Sequence, residues 1–65
     1  MIVWFKVRPV PSTGEYGVRW LAMGEKEGEI VLERVFESRH DALVQCITWM
    51  VALRKDGTIC EWDRD

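Results

Sequence analysis

This 65-residue chain predicts an α+β fold: a small antiparallel sheet of three to four strands with one helix packed on one face, in the order β-β-β-α-β. Three observations point to it. Met1 to Val10 is dense in β-branched and aromatic residues, Leu43 to Leu53 carries apolar residues at helical spacing, and proline- or glycine-bearing polar clusters separate the segments. The length predicts one domain, residues 1–65, of a size that buries only about 60% of its unfolded surface and gains from a partner or a second copy.

Met1 to Val10 reads as a strand that stops at Pro9-Val10-Pro11. Alternation gives it one uniformly apolar face, Val3, Phe5 and Val7, and a second face, Ile2, Trp4, Lys6 and Arg8, that turns basic. Pro11 to Gly17 has loop composition. Val18 to Met23 is the second strand, followed by a polar turn, Gly24-Glu25-Lys26-Glu27-Gly28, and Ile30 to Phe36 is the third. Loops this short favour a three-stranded meander.

Ser38 stands three residues before Asp41, the spacing of a helix N-cap, and Asp41 suits the positive end of the helix dipole. Leu43, Cys46, Ile47, Met50 and Leu53 then form the predicted core stripe. Arg54 and Lys55 suit the negative end, and Gly57 supplies the left-handed terminator. Thr58 to Trp62 is a last short strand. Asp63-Arg64-Asp65 is expected to fray.

Between Leu43 and Leu53 only Gln45 and Thr48 are polar, which is more apolar surface than one small sheet covers. Val44, Trp49, Val51 and Ala52 lie off the predicted stripe. Val44, Thr48, Trp49 and Val51 are therefore the candidate partner-binding residues, able to meet a host protein or a second copy helix to helix. Packing of Trp49 and Ala52 over a sheet edge is the plainer alternative for those two. Trp4, Trp20, Trp49 and Trp62 are many indoles for so small a domain. If Trp4, Lys6, Arg8 and Arg19 share the face away from the helix, they form an alternative nucleic-acid-binding surface of stacking plus charge, although Glu33 and Glu61 dilute it.

Net charge is −2, with 31% charged and 48% hydrophobic residues, a balance that describes a folded globule and does not favour general nucleic-acid binding. Lys6 and Arg8 interrupt the apolar start before signal-peptide length, and no run approaches the ~20 apolar residues of a membrane span. The chain reads as soluble and cytoplasmic. Cys46 and Cys60, on a helix and a strand, are expected to be free core thiols. His40 is the only histidine and falls beside the helix cap, so neither thiol has a base nearby in sequence. Glu25, Glu27 and Glu29 lack calcium-loop spacing, and no glycine-rich phosphate cradle follows a strand. No enzyme, metal or cofactor is predicted.

The segment Val35-Phe36-Glu37-Ser38-Arg39-His40-Asp41-Ala42 resembles the strand-to-helix junction of short uncharacterised bacterial and phage proteins with a Phe-x-Thr/Ser-x-x-Glu-Ala pattern. Their Asp-Gly-Arg-Ile ending is similar to Asp56-Gly57-Thr58-Ile59. The pattern also resembles the three-strands-plus-helix module of phage-type integrase arm-binding domains and plant Apetala2-class factors. The first resemblance implies no known activity, and the shared pattern covers about a third of the chain. The second implies DNA contact from strand residues such as Arg19, on a basic sheet that this acidic chain does not have. The function these observations predict is a small non-enzymatic protein-interaction module of bacterial or phage type.

Overall fold

A computed structural model describes residues 1–11 and 17–64. The expected loop therefore lies outside the described residues except for its two ends, as does Asp65. The elements are β1 (Ile2–Pro11), β2 (Val18–Lys26), β3 (Glu29–Phe36), α1 (Arg39–Lys55) and β4 (Ile59–Trp62). They build a four-stranded sheet in the order β3-β2-β1-β4 with the helix on one face, the α+β class and element order that the sequence predicts. β1, β2 and β3 form the antiparallel meander, whereas β4 lies parallel to β1, pairing Ile2 with Ile59 through Phe5 with Trp62. The direction follows from connectivity. Each link reverses the chain, and the helix supplies the last reversal, so a fourth strand beside the first must run the same way.

The core lies between sheet and helix. Val3 and Phe5 of β1, Ala22 of β2 and Cys60 of β4 meet Ala42, Cys46 and Met50 of the helix, with Val7, Trp20, Leu32, Phe36, Trp49 and Leu53 half-buried around them. Phe5 is fully buried, and the Trp49 ring lies 6.4 Å from it at 31°. Gly24 sits inside β2 opposite Phe5, not in the turn as the sequence suggested. A Cβ at Gly24 would stand 3.0 Å from Phe5 Cε1 and 3.3 Å from Val3 Cγ1, so the strand stays bare there to admit the ring. The hairpin is made instead by Glu27 and Gly28, both at positive φ (53° and 83°), which gives a two-residue turn whose twist matches the strands. A bulge follows, since Gly24 pairs with Leu32 and Glu25 with Ile30, leaving Val31 as the extra residue.

The helix ends are built as the sequence indicates. The Asp41 N–H donates to Ser38 Oγ at 3.1 Å. At the other end Gly57 has φ 85°, its N–H donates to Arg54 O and that of Thr58 to Leu53 O, which together form a Schellman stop. Arg54 also donates to Cys60 O at 3.1 Å, and Arg34 of β3 donates to Gln45 at 3.3 Å, so both edge strands are tied to the helix. Ser38→Ala should lower stability by about 1 kcal/mol through the lost cap, measured as a shift in urea midpoint with unchanged slope. No shift would mean that the cap contributes nothing.

The β4 side of the sheet is closed in part by proline. Ile59 N–H donates to Met1 O and Asp63 N–H to Phe5 O, so odd-numbered residues of β1 turn their backbone groups toward β4. β4 ends at Trp62, and the same alternation puts Pro9 and Pro11 on the stretch beyond it, where they offer no N–H to an added strand. Asp63 is not frayed. Its carboxylate also pairs with Lys6 at 3.6 Å.

Candidate interaction surfaces

Successive helix residues turn by roughly 100°, so once Ala42, Cys46 and Met50 face the sheet the exposed side is determined. Ile47 lies a quarter turn from that line, with Val44 and Val51 further round. All three are open to solvent, at 52%, 47% and 51% exposure. Their 3-4 spacing makes one continuous apolar stripe along the outer side of α1. Of the predicted partner-binding residues, Val44, Thr48 and Val51 are exposed, and the Thr48 hydroxyl is satisfied internally by donating to Val44 O at 2.9 Å.

Trp49 is a correction. It is half-buried against Phe5 and belongs to the core margin, whereas Ile47, assigned to the core from spacing, is exposed. The two trade places because the helix is apolar nearly all round, so periodicity does not fix its rotation. The indole, with the larger apolar area, takes the sheet side. Ala52 is exposed, so the sheet-edge packing considered for it does not occur.

A cleft of about 470 Å³ lies at the end of β4, where Leu43, the neighbour of Val44 in the helix, and Arg39 face Trp62, Val7, Arg8 and Pro9. Trp62 is 41% exposed. The spacing placed Ile47 in the core, and Trp62 was one of four indoles of which some were expected to stay exposed without being singled out. Trp62 carried one available signal, namely its place at the end of a very short predicted strand.

On the opposite sheet face, alternation places Trp4, Lys6 and Arg8 together, with Arg19 next to them as the pair of Val10. The four predicted residues therefore share a face, but not as a cationic surface. Lys6 is paired with Asp63. Trp4 lines a hollow of about 540 Å³ with Glu25, Glu61, Asp63 and Arg64, so carboxylates predominate around its ring. Met23, in the middle of this face, is only 2% exposed despite lying opposite the helix.

No protein-family model matches the chain, and neither a curated protein nor a solved structure gives a significant match. Among the described residues no helix is long and apolar enough to cross a membrane, and no group of three His, Cys, Asp or Glu is placed to hold a metal ion.

Both cysteines are free and buried. Burial pushes the Cys46 thiol up from its ordinary value of 9.0, opposed in part by the backbone of Met23. The fold thus favours the neutral thiol. Its contribution to stability is complete below about pH 9, where the unfolded thiol is also neutral, and is lost as pH rises through the folded value. Cys46→Ala should flatten the alkaline loss of stability in urea melts run across that range. An equally steep loss in both proteins would contradict a protected thiol.

Proposed function

We propose that this domain is a non-enzymatic protein-interaction module that works through the outer side of α1, with Val44, Ile47 and Val51 as the contact stripe and Leu43 and Trp62 at its border. The observation that carries this is the stripe itself: three aliphatic side chains about half open to solvent on a helix whose other side already holds the core. A stripe of that kind is stabilised by covering it, because full burial of a Val or Ile side chain contributes about 1.5–3 kcal/mol and about half of each of these is still open. A charged or aromatic rim beside it, here Arg39 and Trp62, suits protein recognition. The two free buried thiols support a reducing, cytoplasmic setting. Nucleic-acid binding through Trp4, Lys6, Arg8 and Arg19 is disfavoured by Asp63 on Lys6 and by Glu25 and Glu61 beside Trp4.

The test immobilises the intact chain and its Ile47→Asp variant and exposes both to nuclease-treated lysate of the source cell. A polypeptide retained in stoichiometric amount by the native domain and lost from the variant is the expected result. Identical retention by both, or retention of nucleic acid alone from untreated lysate, would overturn the proposal.

A further inference from the structure

We infer that the occupant of the α1 stripe is a second copy of this chain, with the two helices antiparallel about a two-fold axis that passes beside Thr48. The inference rests on the proposal that the stripe is a binding surface and names its partner. Charge placement decides the direction. Asp41 lies seven residues before Thr48 and Lys55 seven after it, each two turns or about 10.5 Å along the helix; both are exposed, Lys55 close to the line of Val44 and Val51 and Asp41 flanking it, about 60° round from Val44. Neither makes an ion pair among the described residues.

Antiparallel pairing about Thr48 lays each Asp41 beside the partner copy's Lys55, while Val44, Ile47 and Val51 of one copy cover the same three of the other. Parallel pairing would set Asp41 against Asp41 and Lys55 against Lys55. It would also align two helix dipoles that the antiparallel arrangement opposes. The centre carries no charge, since Thr48 spends its hydroxyl on Val44 O. A domain of 65 residues gains stability from such a partner.

Sedimentation equilibrium of the purified intact chain, from micromolar to millimolar concentration, tests this. The expected result is a dimer that dissociates on dilution. Asp41→Lys or Lys55→Glu alone should raise the dimer Kd by about five- to tenfold at low salt, each creating two like-charge contacts, and the double variant should return it to within about twofold. Circular dichroism melts accompany each variant. Loss of helix stability at position 41 cannot explain recovery in a double variant that carries the same change. Two outcomes overturn the inference: a monomer at every concentration, or a dimer whose Kd is indifferent to the charge reversals. A monomer that still retains a polypeptide in the lysate experiment overturns self-pairing alone, and a monomer that retains none overturns the interaction proposal as well.

Discussion

Replacing Phe5 with alanine is expected to remove most of the domain's stability at room temperature. Phe5 is completely buried, stacks at an angle on Trp49, and fills the space that Gly24 leaves open in β2. Truncating a buried phenylalanine costs about 3–5 kcal/mol, whereas a domain of this length has a total stability of roughly 3–10 kcal/mol. The loss therefore consumes most of the margin. Phe5→Leu keeps most of the apolar volume and should cost far less, about 1 kcal/mol, which separates cavity formation from any special need for the ring. Urea unfolding followed by tryptophan fluorescence reads both. A Phe5→Ala protein within 1 kcal/mol of the native chain would contradict a core centred on this residue.

The second large effect is on association. Ile47→Asp should leave the fold within about 1 kcal/mol of the native chain, because the side chain is half exposed and stands outside the buried core cluster. Association through the helix should weaken by about 100-fold or more, since covering the stripe would then bury a carboxylate with nothing to balance it. Had Ile47 been part of the core, as its spacing suggested, the same substitution would unfold the domain. Trp49→Ala is the reciprocal case. It should destabilise the fold by removing the ring against Phe5, and any loss of binding would follow from that damage.

These two residues show where the sequence was legible and where it was not. Features determined within a few residues were readable: the apolar alternation of Val3, Phe5 and Val7, the Ser38 cap on Asp41, and the Gly57 stop all sit as expected. What depends on distant groups was not. Gly24 looked like turn punctuation because nothing local announces that the Phe5 ring needs its missing Cβ. The parallel pairing of β4 with β1 depends on which edge the chain reaches after the helix.

The candidate site was half legible. The excess of apolar residues in α1 was evident, and Val44, Thr48 and Val51 are exposed as expected. The rotation of the helix was not evident, because an all-round apolar helix has no single preferred face until a sheet meets it. Trp4, Lys6, Arg8 and Arg19 did come together on one face, but Asp63, Glu25 and Glu61 arrived there from elsewhere in the chain.

The central claim, that the outer side of α1 is a surface built to be covered, is tested most directly on the methyl groups of Val44, Ile47 and Val51. Their paramagnetic broadening by a neutral soluble relaxation agent, measured by NMR in dilute and in concentrated protein, should be strong when dilute and fall on concentration, while that of exposed Val35 and Ile59 stays constant. Broadening of the three helix methyls that is independent of protein concentration, and unchanged on addition of any polypeptide captured from the lysate, would contradict the claim.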